Sequence, residues 1–524
     1  MATNEDDKME QVIIIGAGPV GLSLALGLAR QGVTSVVFEK KTEPSPYSRA
    51  PGIHARTLEI FRGWGVLEAF KAEGAFLRQV QPYTVGAQAP VTTLDFGLLD
   101  PVCAEAGVLI LAQDVTERIL AGACRETGRV EIRFGHELKA FEQTPEAVEA
   151  VLATSQGQSR HRGAYLAGCD GAHGTVRERL GWELVGKTYP TRLMLADIVF
   201  GDPAFAPPWP VIARFESGFV AALRVDSRRW RLLGTLGKRD LDEEGVQRRA
   251  ETLFGPQSYS LEWSSDFHFH CRTSPHFRAQ RVFLVGDAAH INSPVGGQGM
   301  NSGIHDAHNL AWKLARALSG ATRPELLDSY EAERRPQVVK NVAARTDLAT
   351  RLLLLSGQTV RQSLAWLGAQ LLARPWVFAR VAPQIGMLSQ RYKRSPIISG
   401  EGPRLGRRLA NLMLEQGERR FRLSDELEPE AVLLLFDDGG MPRWQAGAVA
   451  AHLTAIPGLK VRRLVNTTVE AQTDDWQVSQ EGWAEWLGLP GTALLVRPDG
   501  FEGWRCTRPT TQQLEDGVRL ALGL

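Results

Sequence analysis

The chain has 524 residues, of which 44% are hydrophobic and 23% charged, a composition typical of a globular protein with roughly two to four domains. Its 60 basic and 59 acidic side chains nearly cancel, so no general attraction to nucleic acid is expected. The five cysteines form no CxxC pair, which argues against a disulfide framework or a zinc site. The polar start MATNEDDKME and the absence of long apolar runs predict a cytoplasmic protein without a membrane segment.

The first predicted element is the apolar run QVIII at Gln11–Ile15, which suits a strand buried in a parallel sheet. It leads into GAGPVG, where Gly16, Gly18 and Gly21 form GxGxxG ahead of a predicted helix. Such a turn lets the backbone approach a pyrophosphate at a helix N-terminus. A second predicted strand ends at Glu39, whose carboxylate can accept hydrogen bonds from the ribose hydroxyls of an adenosine. An ADP-ribose part belongs to both NAD and FAD, so the choice of cofactor stays open at this point.

Two further strand-turn-helix patterns follow. The stretch AYLAGCDGAHGTVRERLG carries Asp170, Gly171 and Arg177. The stretch VFLVGDAAHINSPVGGQGMN runs from a predicted strand into Gly286 and Asp287 and then into a glycine-rich turn before a long helix. The start of a helix offers about half a positive charge and free N–H donors, which suits the edge of a reduced, anionic flavin. This motif therefore favours flavin over NAD.

With these three motifs in this order, the chain resembles the class A flavoprotein aromatic hydroxylases, which share the p-hydroxybenzoate hydroxylase fold. SYEAERRPQV at Ser329–Val338 and LLVRPDGFEGWR at Leu494–Arg505 are typical of the family's longer members. The resemblance implies an α/β fold, in which a FAD-binding Rossmann-like domain is interleaved with an antiparallel β-sheet substrate domain. A helical segment and a C-terminal thioredoxin-like α/β domain follow.

The domain bounds expected from this resemblance start with 1–180 for the first part of the FAD-binding domain, with some substrate-domain strands inserted. They continue with 181–278 for the β-rich substrate domain, 279–394 for the second part of the FAD-binding domain and the helical segment, 395–408 for a linker, and 409–524 for the thioredoxin-like domain. The last domain lacks CxxC, so dimer contact or structural support is expected there in place of dithiol chemistry.

The resemblance also implies FAD as the bound cofactor and NAD(P)H as a transient electron donor that needs no second Rossmann unit. The residues expected to contact FAD are Gly16, Ala17, Gly18, Pro19, Val20, Gly21, Glu39, Lys40, Arg49, Gln113, Asp170, Gly286, Asp287, Pro294, Gly297, Gly299, Met300 and Asn301. Asp287 is expected to accept a hydrogen bond from a ribityl hydroxyl. For Arg49 and Gln113, a surface ion pair or a helix cap is the alternative interpretation.

The activity implied by the resemblance is insertion of one oxygen atom of O₂ into a phenolic or polyketide aromatic ring through a flavin C4a-hydroperoxide. We assign no catalytic residue, because the cofactor performs the hard chemistry while the protein orients the ring and excludes water. Alternatives are a Baeyer-Villiger-type oxygenation, a non-oxygenating flavin oxidoreductase, or a non-catalytic aromatic-binding flavoprotein. A halogenase is disfavoured, because Trp483 and Trp486 lie in the wrong domain with the wrong spacing for WxWxIP.

Four aromatic residues of the predicted substrate domain are pocket candidates, although aromatics at alternating positions more often belong to a core. They are Phe215, Phe219, Trp230 and Phe267. His305 and His308 lie three apart on a predicted helix, but no carboxylate cluster or thiolate accompanies them, so no metal is expected. The expected partners are the aromatic substrate and O₂, and the chain is expected to be a monomer or a homodimer.

Overall fold

The computed structural model describes residues 9–44, 51–202, 204–215, 218–235, 243–292, 297–320, 322–339, 368, 370–409, 412–427, 429–437, 453, 455–466, 471–478 and 491–524. Its helices are Pro19–Arg30 (α1), Ala55–Gly63 (α2), Leu67–Glu73 (α3), Gln113–Glu126 (α4), Thr175–Arg179 (α5), Glu243–Phe254 (α6), Gln298–Leu318 (α7), Pro324–Pro336 (α8), Pro375–Ile385 (α9) and Thr511–Leu522 (α10).

The strands are Glu10–Ile15 (β1), Ser35–Glu39 (β2), Gly52–His54 (β3), Ala75–Leu77 (β4), Gln79–Val80 (β5), Tyr83–Thr84 (β6), Leu94–Asp95 (β7), Val108–Ile110 (β8), Val130–Phe134 (β9), Glu137–Gln143 (β10), Val148–Thr154 (β11), Gly157–Gly168 (β12), Val185–Phe200 (β13) and Val211–Phe215 (β14). They continue with Gly218–Arg224 (β15), Arg229–Thr235 (β16), Tyr259–Thr273 (β17), Arg278–Ala279 (β18), Val282–Leu284 (β19), His290–Ile291 (β20), Ser399–Gly400 (β21), Met413–Gln416 (β22), Arg419–Arg422 (β23), Ala431–Asp437 (β24), Leu459–Asn466 (β25), Trp476–Val478 (β26), Thr492–Val496 (β27) and Glu502–Thr507 (β28).

The first sheet brings distant parts of the sequence to one edge. Strands β9, β2, β1, β12 and β19 lie side by side and run parallel. Between β12 and β19 the chain leaves to build the second sheet, and it returns in register, with Gly168 opposite Leu284. Because the carboxyl ends of parallel strands meet at one edge, the turns after β1, β2, β12 and β19 are neighbours, and such an edge is where doubly wound sheets bind ligands.

The large core of the molecule surrounds this first sheet. Val12, Ile13 and Ile14 of β1 are fully buried, as expected for a strand that is covered on both faces. Helix α1 packs against both α4 and α7. The sequence predicted β1, α1 and β2 at these positions, and the structure confirms them.

The second sheet has the order β20, β17, β13, β16, β15, β14, β6, and its pairs are antiparallel apart from that of β14 with β6. Alternate residues of β13 face opposite ways. Met194, Ala196 and Ile198 pack in a core with residues of α6. Leu193 belongs to a separate cluster with Phe219. Helix α6 therefore covers one face of the second sheet, and the other face is available to pack against the part of the chain that contains the first sheet. The short strands β6 and β20 add to this sheet from outside the range 181–278.

The third sheet has the order β21, β28, β27, β24, β25, β26, β22, β23 and mixes parallel with antiparallel pairs. Its strand β24 is buried along its whole length, because Val432 and Leu434 pack into one apolar cluster while Leu433 and Leu435 pack into another on the opposite face. The sequence predicts a linker at 395–408, and the structure has strand β21 within that range, with Ser399 opposite Trp504. No helix within the described ranges is long and apolar enough to cross a bilayer.

Candidate cofactor and substrate site

The GxGxxG turn joins β1 to α1 with no room for side chains at two positions. Gly16 has a φ of +107°, and a Cβ there would lie 2.5 Å from the Cys169 carbonyl oxygen. A Cβ on Gly21 would lie 1.9 Å from the carbonyl oxygen of Gly16. Glycine is therefore required at both positions, as the sequence pattern indicates. Helix α1 begins at Pro19 after the N-cap residue Gly18, which leaves the unpaired N–H groups of its first turn to bind an anion.

Glu39 ends β2 beside this turn. One of its carboxylate oxygens accepts a hydrogen bond from the Ala17 N–H at 2.9 Å, and the other accepts one from the Lys41 N–H at 3.0 Å. The carboxylate is thereby held in a fixed position. It lines a cleft of about 790 Å³ together with Gly16 and Lys40.

The turn after β12 carries Asp170. The Oδ2 atom accepts a hydrogen bond from the Val176 N–H at 2.9 Å, while Oδ1 is buried and finds no donor among the residues that the structure describes. Burial raises the pKa of this carboxyl. Asp170 also lines the 790 Å³ cleft, so its carboxyl lies at the same groove as Glu39.

Arg177 connects the second and third motifs. Its Nη2 donates to the carbonyl oxygen of Ala172 at 2.8 Å, and its Nη1 donates to that of Ala288 at 3.0 Å. Ala172 follows β12 and Ala288 follows β19. This buried guanidinium therefore holds the two turns together, which gives a physical reason for an arginine after the Asp170–Gly171 turn.

Asp287 lies in a short 3₁₀ turn, Gly286–Ala288, directly after β19. Its neighbours on both sides are buried, while Asp287 itself is exposed. It lines the 790 Å³ cleft and also a second cavity of about 600 Å³. Gly18, Gln113, Cys169 and Gly171 also line both, so the two cavities form one continuous groove.

The second cavity lies between the first and second sheets. On one side it is lined by Pro19, Val20, Gly297, Gly299 and Met300, at the starts of α1 and α7. On the other side it is lined by the apolar residues Leu195, Leu223 and Leu233 of the second sheet, with Arg231 among them. An apolar cavity of this size with a few polar groups suits a small organic ligand.

Asn301 lies behind this wall and holds it in place. Its side-chain oxygen accepts hydrogen bonds from the His54 N–H at 2.9 Å and the Thr57 hydroxyl at 2.7 Å. Its amide nitrogen donates to the carbonyl oxygens of Gly52 and Gly297, both at 2.8 Å. The whole amide is therefore used to hold the start of α7 against β3 and α2.

The sequence-predicted cofactor residues divide into three groups. Those that line the groove are Gly16, Gly18, Pro19, Val20, Glu39, Lys40, Gln113, Asp170, Asp287, Gly297, Gly299 and Met300. Ala17 and Gly286 lie in the turns that support the groove, Gly21 lies in the first turn of α1, and Asn301 lies in the first turn of α7. Arg49 and Pro294 fall outside the described residues.

The structure places the aromatic pocket candidates in different surroundings. The prediction was wrong for Trp230, which packs on the opposite face of the second sheet, with its ring centroid 5.2 Å from that of Phe254. Phe219 is buried in the small cluster with Leu193 and Leu233, of which Leu233 lines the cavity. The side chains of Phe215 and Phe267, like Trp483 and Trp486, fall outside the described residues.

Sequence reasoning missed the cavity wall formed by Leu195, Leu223, Arg231 and Leu233. The available signal was the charge in otherwise apolar strands: Asp197 in LMLADIVF and Arg231 in RWRLLGT. Opposite charges at inward-facing positions of neighbouring strands indicate a buried pair.

The histidines His305 and His308 have other contacts. His305 lies between Thr57 at 3.1 Å and Gln390 at 2.9 Å, while His308 packs against Trp64.

The groove fits a long dinucleotide. The start of α1 suits a pyrophosphate, Glu39 lies where a ribose is expected, and the exposed Asp287 lies between this end and the larger cavity. Asp170 lines the same groove. Fold and groove together are those of a dinucleotide-binding protein, with a second cavity against the second sheet.

Comparisons with known proteins define the family. Residues 9–346 match the family model of the FAD binding domain, and residues 402–523 match that of the C-terminal part of aromatic-ring hydroxylases. The chain is 32% identical to a 12-dehydrotetracycline 5-monooxygenase/anhydrotetracycline 6-monooxygenase of Streptomyces rimosus, over 98% of each chain. It is 33% identical to a rifampicin monooxygenase of Streptomyces venezuelae, over 95% of each. A crystal structure of aklavinone-11 hydroxylase with FAD and aklavinone covers 99% of this chain and 100% of its own, with 26% identity and a TM-score of 0.82.

The chain belongs to the FAD-dependent aromatic-ring hydroxylase family, and it is an enzyme, a FAD-dependent monooxygenase of aromatic compounds. FAD is its cofactor, with NAD(P)H as the electron donor. The sequence prediction of the family, of the fold and of the cofactor is thus confirmed.

Proposed function

We propose that this enzyme hydroxylates a polycyclic aromatic substrate of polyketide type, using one oxygen atom of O₂. The observation that carries the proposal is the 600 Å³ cavity between the start of α7 and the apolar face of the second sheet. Its apolar wall of Leu195, Leu223 and Leu233 suits the flat faces of fused rings, and its volume must also hold the flavin ring beside the start of α7. The substrates in the names of the relatives, anhydrotetracycline and rifampicin, support a large ring system.

FAD, when bound, would supply the redox chemistry between NAD(P)H, O₂ and the aromatic ring. The contacts support FAD binding by the start of α1, Glu39 and Asp287, with the start of α7 beside the cavity. Free N–H groups at the start of α7 would stabilise negative charge there.

The chain's own residues have the task of orienting the aromatic ring and excluding water. Leu195, Leu223 and Leu233 present an apolar wall, so a flat ring system displaces water from this side of the cavity. On the opposite side, Asn301 fixes the backbone at the start of α7 through four hydrogen bonds. Productive geometry within a fraction of an ångström depends on such rigid supports.

The purified flavoprotein should be titrated with anhydrotetracycline, rifampicin and aklavinone, and with phenol and p-hydroxybenzoate as single-ring controls. We expect at least one polycyclic compound to perturb the flavin absorbance band and to accelerate NAD(P)H oxidation, with both single-ring compounds inactive. Reaction under ¹⁸O₂ should place one labelled atom on a ring carbon.

Three outcomes would overturn the proposal. They are a response to the single-ring compounds alone, a lactone product from ring expansion, and aromatic-stimulated NAD(P)H oxidation without any label in the product. The last two correspond to a Baeyer-Villiger-type oxygenase and to a non-oxygenating oxidoreductase.

We further propose a cytoplasmic monomer or homodimer. Gel filtration with light scattering would test the oligomeric state.

A further inference from the structure

Arg231, which lines the cavity, forms an ion pair to which no cofactor contact has been assigned. Arg231 of β16 and Asp197 of β13 lie directly opposite each other on neighbouring antiparallel strands. The Nε atom donates to Oδ1 at 2.8 Å and Nη2 donates to Oδ2 at 2.7 Å, a bidentate geometry. Both side chains are almost completely buried, at 2% and 4% exposure.

The pair belongs to the substrate side of the cavity. Arg231 lines the cavity together with Leu195, Leu223 and Leu233, all from the second sheet. Their neighbours of opposite parity, such as Leu232, point into the core under α6. A charged side chain on this apolar wall is costly unless each of its donors has a partner.

One edge of the Arg231 guanidinium has no partner among the described residues. Nε and Nη2 are taken by Asp197, but Nη1 is buried and finds no acceptor among the residues that the structure describes. Leaving a buried charged donor unpaired costs free energy that a ligand oxygen in the cavity would recover. The bidentate pair prevents rotation of the guanidinium, so Nη1 is held in a fixed position for such an oxygen.

We propose that Nη1 of Arg231 binds an uncharged oxygen acceptor on the aromatic substrate, such as a ketone or quinone carbonyl, with Asp197 as a positioning residue. The proposal rests on the proposed function, since it assigns a group of that substrate. This hydrogen bond would orient the ring system by its oxygen substituent, while the apolar wall packs against the rings.

The charge of the pair decides between classes of oxygen. Arg231 and Asp197 together are neutral, so a carboxylate on the substrate would bring an uncompensated charge into an apolar cavity. A carbonyl oxygen accepts the free N–H and brings no such charge. The site therefore selects a neutral, oxygenated polycyclic ring over an aromatic acid.

Two ligands with the same ring skeleton test this contact: anthraquinone, which has two carbonyl oxygens, and anthracene, which has none. Binding to the FAD-loaded enzyme should be measured by flavin absorbance or fluorescence, without NAD(P)H and in a fixed low concentration of dimethyl sulfoxide. Arg231→Gln should weaken anthraquinone binding by about 10- to 100-fold, the usual loss for a hydrogen bond to a charged group. Anthracene binding should change by less than about threefold, because it makes no such bond.

Two further variants separate the contact from a structural role. Asp197→Asn/Arg231→Gln removes both charges together, so it avoids a buried lone carboxylate and should reproduce the selective loss of anthraquinone. Asp197→Asn alone leaves the guanidinium uncompensated, and it should tighten anthraquinone-2-carboxylate relative to anthraquinone. Arg192→Gln is the control, because Arg192 and Asp266 form a partly exposed pair across β13 and β17 of the same sheet.

Several outcomes would overturn the inference. They are anthraquinone affinity unchanged in Arg231→Gln, equal losses for both ligands, and no binding of anthraquinone by the wild type. Loss of FAD in Arg231→Gln, with anthraquinone binding restored by excess FAD, would assign Nη1 to the flavin and contradict the substrate contact. Failure of the proposed function is separate, since it would show as wild-type enzyme whose NAD(P)H oxidation no aromatic compound stimulates.

Discussion

Arg497 and Glu333 pair across the junction between the third sheet and helix α8. Nη1 and Nη2 of Arg497 donate to the two carboxylate oxygens of Glu333 at 2.6 and 2.9 Å, and both side chains are fully buried. Lys313 of α7 donates to the same carboxylate at 2.8 Å, and Nε of Arg497 donates to Asp499 at 3.0 Å. Since α7 begins at the cavity, this cluster connects the C-terminal part of the chain with the site.

Arg497→Met should destabilise the enzyme by about 3–5 kcal/mol, the usual cost of removing one partner of a buried ion pair. The substitution leaves Asp499 without its main cation and removes two hydrogen bonds from Glu333. Urea unfolding of the FAD-loaded protein, followed by tryptophan fluorescence, measures the loss. The control Arg160→Met breaks a pair with Glu149 that is 70% and 41% exposed, and should cost less than about 1 kcal/mol. Equal losses in the two variants would contradict a special role for the junction.

Acid should weaken the junction through Glu333. The cations of Arg497 and Lys313 outweigh burial and hold the pKa of this carboxyl below its ordinary value of 4.5. A carboxyl whose folded-state pKa is depressed binds fewer protons when folded than when unfolded. Its stabilising contribution is therefore complete above about pH 4.5 and decreases as the pH falls toward the folded-state pKa.

Unfolding free energies of the wild type and Glu333→Gln from pH 7 to pH 3 test the direction of this pH dependence. The advantage of the wild type should be constant above about pH 5 and shrink below pH 4.5. The control is Glu149→Gln, which removes a partly exposed carboxylate paired with Arg160 outside the groove. If the difference in unfolding free energy between the wild type and Glu333→Gln grows on acidification, the predicted direction is wrong.

The first half of the candidate cofactor site could be predicted from sequence because it is local. The strand, the GxGxxG turn, helix α1 and Glu39 follow one another within 30 residues, and periodicity with glycine spacing determines them. The later turns at Asp170 and Asp287 could be found as motifs. Their closeness depends on β12 and β19 pairing across more than a hundred residues, and only the family resemblance implied that.

The substrate side could not be predicted in the same way. Alternation along β16 shows that Trp230 and Arg231 face opposite sides, but it does not tell which side faces the cavity. That depends on α6 covering the Trp230 face and on the packing of the second sheet against the first. Asn301 illustrates the same limit, because its partners Gly52, His54 and Thr57 lie more than 240 residues away in sequence.

Gly21→Ala should reduce FAD affinity by more than about tenfold, because the added methyl group lies within contact of the Gly16 carbonyl oxygen and the turn must open. FAD content after gel filtration and the Kd for FAD from fluorescence quenching measure the effect. Gly122 is a matched control within helix α4, where no described atom lies within 4 Å of an added Cβ. Gly122→Ala should keep full FAD binding and gain roughly 0.5–1 kcal/mol of stability. If both variants bind FAD normally, the turn is not as tight as its geometry indicates.

Asp287→Ala should lower FAD affinity without unfolding the protein, because Asp287 is exposed between buried neighbours and lines both parts of the groove. We expect a loss of about 10- to 100-fold in the Kd for FAD, since the carboxylate would accept a charge-assisted hydrogen bond from the ribityl chain. The thermal stability of the FAD-free protein should stay within about 0.5 kcal/mol of the wild type, as is usual for an exposed site. Asp328→Ala, an exposed aspartate paired with Arg278 outside the groove, serves as the control and should leave FAD binding unchanged. Asp287→Ala protein that retains stoichiometric FAD and is reduced at the wild-type rate would remove Asp287 from the cofactor site.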